Sequence, residues 1–245
     1  MSLRITIAVT TRVLTQVRRD RRTLAMLLVV PCLLISLLWW MFEDTGPIFD
    51  RIGPALLAIF PFIVMFLVTS VTTLRERSSG TLERLLAMPT GKLDFLLGYA
   101  LAFGLIAAVQ SALAVVVSVG LLDLEVVGPV WLLTVVAIVD AVLGSTLGLF
   151  VSAFAQTEFQ AVQFMPAIVM PQVLLCGLFA PRETMTPVLE WLSNVMPLSY
   201  AVDALASVTR SNELDGVFVR NLVIVAGSGV LALILGAATL RRRTP

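Results

Sequence analysis

The sequence predicts an all-α integral membrane protein with six transmembrane helices. Apolar residues make up 58% of the 245 residues, and charged residues make up only 13%, about half the charged share of an average soluble domain. The charges are also grouped between long apolar runs. This length fits one domain, and a net charge of +1 points to no nucleic-acid partner.

Six apolar runs have the length that a helix needs to cross a hydrocarbon core of about 30 Å. They cover residues 24–42, 54–74, 95–122, 126–155, 159–180 and 222–240. The third run is long enough for a tilted span, and Asp140 alone interrupts the fourth. The first run is expected to be a span and not a cleaved signal peptide, because no small-residue cleavage site follows it. Residues 181–221 have mixed polarity and are too long for a simple turn.

The distribution of basic residues predicts which side of the membrane each loop faces. With six spans, both termini lie on one side together with the segment between spans two and three. That side carries thirteen basic residues, and the other side carries four, namely Arg51, Arg182, Arg210 and Arg220. Both termini are therefore predicted to be cytoplasmic. The excess of Arg over Lys suggests a GC-rich bacterial genome, and hence a multi-pass protein of a bacterial inner membrane.

Residues 1–22 are predicted to form an amphipathic helix in the cytoplasmic membrane surface. On a helical wheel, one arc holds Leu3, Ile7, Val9, Val13, Leu14 and Val17. The opposite arc holds Arg4, Arg12, Arg18, Arg19 and Arg22. Such a helix lies in the interface with its cations toward anionic headgroups. The alternative is that these arginines only fix the topology, and the two interpretations are compatible.

Residues 75–90 form a compact charged segment between the second and third spans. Charge is costly inside lipid, so this segment must lie outside the membrane. Its residues 81–88 are predicted to form a short helix with an apolar ridge, which Pro89 ends. Such a helix suits a groove on a soluble partner. The alternative is an ordinary surface helix packed on its own bundle.

Two sequence motifs resemble those of a known family. The run Glu76-Arg-Ser-Ser-Gly-Thr-Leu-Glu-Arg-Leu-Leu-Ala-Met-Pro89 resembles the cytoplasmic signature of ABC-2 type transporter permeases. Further on, Gly177-Leu-Phe-Ala-Pro181 and Pro197-Leu-Ser-Tyr-Ala201 are similar to the external segment of that family. The closest resemblance is to daunorubicin-type drug-resistance exporter permeases. Residues 23–245 are accordingly expected to be the ABC-2 transmembrane domain.

The resemblance implies that residues 75–90 are a coupling helix that docks on a separate ATPase subunit. The expected contact residues are Arg75, Glu76, Arg77, Gly80, Thr81, Leu82, Glu83, Arg84, Leu85, Leu86, Met88 and Pro89. Ser78 departs from the family pattern, which has Glu at that position. ATP and Mg²⁺ would be bound by the partner, because the only Gly-Lys pair, Gly91-Lys92, lacks the rest of a P-loop.

The resemblance also implies two permease copies, or one copy with a paralogue, paired with two ATPase subunits. It further implies that residues 181–221 form an external re-entrant helical segment, although a plain external loop would fit the sequence as well. The fifth span would flank the exit route. Its candidate wall residues are Phe164, Met165 and Phe179.

No catalytic or metal site is predicted. The chain has no histidine, and its two cysteines, Cys32 and Cys176, both lie in apolar runs. Asp140 is the one ionisable residue deep in a span, which makes it a functional candidate. It would line a cavity or pair with Gln110 of the neighbouring span, and the alternative is a protonated acid bonded within its own helix.

The function expected from these features is that of a permease subunit, not itself an enzyme, in an ATP-driven ABC exporter. Its substrate would be amphipathic or hydrophobic, such as a drug or a lipid-like molecule. A lipid or polysaccharide flippase subunit of the same family is the alternative. An ATP-independent secondary transporter is less favoured, because no coupling-ion site or internal repeat is visible.

Overall fold

The structure is a computed structural model that describes residues 3–43, 47–78, 92–212 and 215–239; for residues 92–96 it describes the backbone alone. The described residues form nine α-helices and one 3₁₀ turn, Arg182–Thr184. The helices are α1 Leu3–Arg19, α2 Arg21–Met41, α3 Ile48–Ser78, α4 Lys92–Gly120, α5 Val130–Ser152, α6 Glu158–Leu175, α7 Pro187–Val195, α8 Pro197–Arg210 and α9 Gly216–Thr239. The prediction of an all-α chain is confirmed for this part.

Among the described residues, five helices are long and apolar enough to cross a membrane: α2, α3, the Leu97–Gly120 part of α4, α5 and α9. The helix of the predicted fifth span, α6, is not among them. Its 18 residues span about 27 Å, slightly less than the hydrocarbon core. Three glutamines, at positions 160, 163 and 172, make it less apolar than the others. The count of six spans therefore stays a prediction.

The helix bounds differ from the predicted spans where local backbone geometry decides the ends of a helix, because hydropathy does not report that geometry. α3 and α9 extend well beyond their apolar runs, since polar residues continue a helix outside the lipid. α6 ends at Leu175, and Gly177 nearby adopts a left-handed φ of +96°, which favours glycine. α5 begins at Val130 and not near residue 126. The preceding loop pairs with α8 instead, through bonds from Val127 N to Thr209 O (3.1 Å) and Gly128 N to Val208 O (2.9 Å).

α5 is the central helix of the bundle. Two thirds (67%) of its apolar stretch is buried, against 17% for α2 and 22% for α9. Glycines allow this close packing: a Cβ added at Gly144 would lie 2.5 Å from the carbonyl oxygen of Phe62 in α3, and one at Gly148 would lie 2.5 Å from that of Phe66. Small residues let helix backbones approach in this way. α3 and α5 therefore form the rigid centre of the bundle.

The segment 181–221 is helical and not a plain loop. It contains the 3₁₀ turn, α7, α8 and the first turns of α9. α8 packs beside α3, α5, α6 and α9, and its apolar face is buried, including Leu198, Ala201, Leu205 and Val208. α8 therefore lies inside the bundle. The described part of the segment is helical, as the resemblance implied.

Candidate functional site

The last turn of α3 is bonded to the first residue of α6. Arg75 donates from Nε to Glu158 Oε1 (2.8 Å) and from Nη2 to Glu158 Oε2 (2.9 Å). This is the paired geometry that guanidinium and carboxylate groups favour. Both side chains are about half exposed, so the pair contributes little to stability. Its consequence is positional, because it connects the last turn of α3 to the first residue of α6.

Glu76, one residue further on, is bonded to the N-terminal helix. Arg12 Nη2 of α1 donates to Glu76 Oε1 at 3.3 Å. Glu76 is only 5% exposed, whereas the Arg12 side chain is 35% exposed. A carboxylate that is nearly enclosed needs a partner, and Arg12 supplies one. Glu76 therefore faces the protein's own N-terminal helix.

Arg77 completes the set at the end of α3. Its Nη1 donates to the backbone carbonyl oxygen of Ser152, the last residue of α5. Three consecutive residues thus contact three different elements: Arg75 contacts α6, Glu76 contacts α1 and Arg77 contacts α5. We call residues 75–77 the α3 root. The α3 root is the beginning of the predicted coupling segment.

Apart from Ser78, the rest of the predicted coupling segment lies outside the described residues. This applies to Gly80, Thr81, Leu82, Glu83, Arg84, Leu85, Leu86, Met88 and Pro89, whose assignment stays a prediction. Ser78 is the last residue of α3, and its Oγ donates to Arg75 O at 3.0 Å.

The apolar arc predicted for residues 3–17 is divided in two by the fold. Val9, Val13 and Val17 are buried and pack in a cluster with Tyr99 of α4. Thr10 Oγ1 also donates to Gly98 O (3.1 Å). Leu3 and Ile7, by contrast, are 75% and 54% exposed. A helix packed by one edge, with further apolar residues left outside, suits a position in the membrane surface.

The predicted interfacial arginines do not all share one environment. Arg4, Arg18, Arg19 and Arg22 are exposed. Arg12 is partly enclosed by its contact with Glu76. Between α1 and α2, Asp20 caps the second helix, because Thr23 N and Thr23 Oγ1 both donate to its carboxylate (3.2 and 2.6 Å). These bonds, led by that from the hydroxyl, lower the pKa of Asp20.

Asp140 and Gln110 are both completely buried, but no hydrogen bond joins them. None of their four side-chain polar atoms has a partner in the described part of the chain. Asp140 lies one turn before Leu143 and Gly144, which pack against α9 and α3 respectively, so Asp140 faces the junction of those helices. The described residues show no hydrogen bond between Asp140 and Gln110, and the pairing considered from the sequence stays a prediction.

The three candidate residues of the exit route lie in different surroundings. Phe164 and Met165 are partly buried against the main core. Phe179, in the connection after α6, is 70% exposed. The structure does not bring these three side chains into one cluster with Asp140.

The end of the bundle opposite the α3 root contains a polar centre that the sequence interpretation missed. Arg182 donates to Asp203 Oδ2 of α8 and to Asn194 Oδ1 of α7. Its guanidinium also lies 5.1 Å from the ring centroid of Tyr200. The Arg182 side chain is only 12% exposed. The signal for it was present, since Tyr200 belongs to the second family motif, but sequence spacing does not pair it with Arg182.

Burial and ion pairing act in opposite directions on Asp203. Burial raises the pKa of this carboxyl, and the nearby guanidinium of Arg182 lowers it, with burial the larger effect. Asp203 is therefore an acid whose ionised form depends on Arg182 for compensation. Arg182 consequently holds α7 and α8 together electrostatically as well as by geometry.

Serine hydroxyls connect this polar centre to the end of α6. Ser193 Oγ donates to Leu175 O at 2.7 Å and contacts Ser199 Oγ at 3.1 Å. The carbonyl oxygens of a last helical turn lack partners within the helix, and Ser193 provides one here. These bonds place α7 beside the end of α6.

The fold and the site define a class of protein: a helical, multi-pass membrane protein with the charged α3 root at one end of the bundle and short helices packed at the other end. The described residues contain no group of three or more side chains able to hold a metal ion. Within this class the chain belongs to the ABC-2 type transporter family, whose sequence model matches residues 5–209.

Curated relatives agree with this membership. The chain is 27% identical over 150 residues to the probable multidrug ABC transporter permease YbhR of Escherichia coli K12, which covers 61% of this chain and 41% of YbhR. It is 24% identical over 191 residues to the probable multidrug ABC transporter permease YbhS of the same organism, covering 78% and 51%. It is 23% identical over 159 residues to ABC transporter G family member 20 of Dictyostelium discoideum, covering 65% and 22%. The chain thus spans about half or less of the length of these relatives.

Proposed function

We propose that this chain is the transmembrane subunit of an ATP-driven exporter that moves an amphipathic or hydrophobic substrate out of the cytoplasm or the inner leaflet. Membership of the ABC-2 type transporter family supports this. So do the names of the two bacterial relatives, both probable multidrug ABC transporter permeases. The protein would lie in a bacterial inner membrane with both termini in the cytoplasm, as the thirteen-to-four bias of basic residues predicts.

The observation that carries the proposal is the α3 root. Arg75, Glu76 and Arg77 connect the start of the predicted coupling segment to α6, α1 and α5. A force applied to residues 78–90 would reach three elements through these bonds. We propose that a separate ATPase subunit applies that force when it binds ATP and Mg²⁺. The functional unit would hold two permease chains and two ATPase subunits, and Phe164, Met165 and Phe179 would lie along the substrate route.

We propose a positioning role for Glu76. Its carboxylate is nearly enclosed and paired with Arg12, which supports an action on the N-terminal helix. Later residues of the predicted coupling segment, including Leu85, would supply the docking contacts. The arginines of α1 would in turn hold that helix at anionic headgroups.

The test is to purify the chain with its candidate ATPase and to measure ATP hydrolysis over a panel of lipids and amphipathic drugs. Leu85→Asp and Glu76→Ala should abolish substrate stimulation while the complex remains folded. Arg210→Gln, an exposed change on the opposite side of the bundle, is the control and should leave stimulation unchanged. If stimulation survives both Leu85→Asp and Glu76→Ala, the coupling assignment is wrong.

The same purified preparation also tests two alternative functions. A flippase for lipids or polysaccharide precursors would show stimulation by lipids and none by drugs. A secondary transporter would continue to move substrate in vesicles depleted of ATP, and this result would exclude the exporter proposal. The apolar composition of the candidate spans fits any of these substrates, so the stimulation panel and the ATP-depleted vesicles decide between them.

A further inference from the structure

α6 is the more loosely packed of the two predicted spans that the α3 root contacts. Three of its 18 residues are buried, namely Ala161, Val169 and Gln172, against 14 of the 23 residues of α5. The bond from Arg77 joins the root to the closely packed centre of the bundle. The bonds from Arg75 join it to a helix that is less restrained by packing. A displacement of the root would therefore move α6 more readily than α5.

The start of α6 is a self-contained unit. Thr157 Oγ1 accepts a bond from Gln160 N at 3.2 Å, and Gln160 Oε1 accepts one from Gln156 N at 2.8 Å. These reciprocal bonds stabilise the first turn in the manner of a capping box. Ala161 packs in a small apolar cluster with Leu74 of α3. The start of α6 is thus joined to the end of α3 by an apolar contact as well as by the ion pair.

Two prolines separate this start from the far end of the helix. Pro166 and Pro171 cannot donate the backbone bonds that an α-helix has at their positions, and prolines are frequent sites of helix kinks. Val169, between them, is buried in the main core. At the far end, Ser193 of α7 donates to Leu175 O at 2.7 Å. Both ends of α6 are therefore held, and the helical bonding between them is weakened.

We propose that Glu158 is a positioning residue through which the α3 root turns the first half of α6, residues 158–165, about Pro166. This inference rests on the proposed function and adds to it the element that moves. Phe164 and Met165, two of the candidate route residues, lie in the moving half directly before the proline. The paired bonds to Arg75 are directional, whereas the half-exposed charges add little stability. Glu158 would therefore affect the coupling and not the fold.

Hydrogen exchange of the chain in lipid nanodiscs tests the mechanical part in the absence of transport. Glu158→Gln should speed the exchange of amides in residues 158–165 about twofold to fivefold, the effect of losing an exposed ion pair. Amides of residues 167–175 should keep their rates. The matched control is Gln156→Ala, an exposed change two residues earlier, which should leave both halves unchanged. An equal increase in both halves, or no increase in residues 158–165, would contradict a separately moving half.

The coupling is tested in the complex with the candidate ATPase. Arg75→Glu and Glu158→Arg, each alone, should lower substrate-stimulated ATP hydrolysis at least about fivefold. The double reversal should restore it, because the pair forms again with its charges exchanged. The Tm of each variant should change by less than about 2 °C, since the pair is exposed. Pro166→Ala should also lower the stimulation although the ion pair remains, because alanine restores the missing backbone bond at the hinge.

Three results of this second experiment would overturn the inference. Normal stimulation of both single reversals would show that Glu158 does not transmit the movement. A loss that the double reversal does not repair would show that the two residues act separately. Normal stimulation of Pro166→Ala would remove the hinge. A wild-type complex that no substrate stimulates would instead contradict the exporter proposal, and the exchange experiment would then decide the role of Glu158.

Discussion

The ion pairs at the two ends of this bundle contribute differently to the stability of the folded protein. Arg75 and Glu158 are both about half exposed, so water and salt screen their attraction. Arg182 is nearly enclosed, and its partner Asp203 is partly enclosed. A charge that has left water depends on its partner. Loss of Arg182 should therefore cost far more stability than loss of Arg75.

Arg182→Gln is expected to lower stability by about 1–2 kcal/mol, less than the full penalty for an unpaired buried charge because Asp203 is 40% exposed. This corresponds to a fall in Tm of about 2–8 °C, measurable by thermal unfolding in detergent. Arg210→Gln, on the exposed end of α8, is the control and should leave Tm within about 1 °C. Equal Tm values for the two variants would contradict the central role of Arg182.

The same substitution should be pH-dependent. Removing Arg182 removes the charge that lowers the pKa of Asp203, and burial then raises that pKa further above its ordinary value of 3.8. The folded state then binds its proton more tightly than the unfolded state, so stability falls as pH rises from 3.8 through the folded pKa. The loss caused by Arg182→Gln should be larger at pH 7 than at pH 4. A loss that is equal at both pH values would show that Asp203 does not respond to Arg182.

Asp140 has a different role at the residue scale, because its carboxyl lies among spans with no described hydrogen-bond partner. Asp140→Asn keeps the shape and removes the acid. We predict that export falls more than the amount of assembled protein, as measured by transport in vesicles and by size-exclusion chromatography. Gln110→Glu provides a comparison at the other buried polar position. Normal export by Asp140→Asn would show that the acid has no role in transport.

At the scale of elements, the contact between α3 and α5 determines how closely the central helices pack. Gly144 and Gly148 face the backbone carbonyls of Phe62 and Phe66. Backbone atoms cannot move aside as flexible side chains do, so an added methyl group must separate the helices. α1 shows the opposite case: it packs by one edge alone, and the interface with lipid is expected to hold the other.

Gly144→Ala is expected to destabilise the protein by about 1–3 kcal/mol through overpacking of α3 against α5. Gly227→Ala in α9 is the matched control, because a Cβ there meets nothing within 4 Å, and Ala has the higher helix propensity. Thermal unfolding of the two variants measures the difference. A Tm for Gly144→Ala at or above that of Gly227→Ala would contradict the close packing.

For the whole molecule, the question is whether α6 crosses the membrane. Five helices satisfy length and apolarity, and an odd number would place the termini on opposite sides. The excess of basic residues at the N-terminus, between the second and third predicted spans and at the C-terminus predicts an even number. Prolines at positions 166 and 171 and the three glutamines make α6 a less typical span, which is compatible with a helix that contacts protein or a polar route instead of lipid.

Single cysteines on either side of α6 test this topology. Gln156→Cys and Glu183→Cys, both at exposed positions, are made in the background lacking Cys32 and Cys176. In intact cells, a membrane-impermeant maleimide should label position 183 and not position 156, which becomes labelled after the membrane is permeabilised. Labelling of both positions in intact cells would show that α6 does not cross.

The sequence by itself determined the class of the fold, because about 20 consecutive apolar residues are stable as helices in lipid and nowhere else. It also determined the expected orientation, which depends on counts of basic residues, and the family, which depends on two local motifs. The partners of individual side chains were decided by the tertiary structure. Glu76 facing Arg12 and Arg182 facing Asp203 each depend on the packing of elements distant in the chain. Hydropathy does not report that packing, so no pattern in the sequence could specify it.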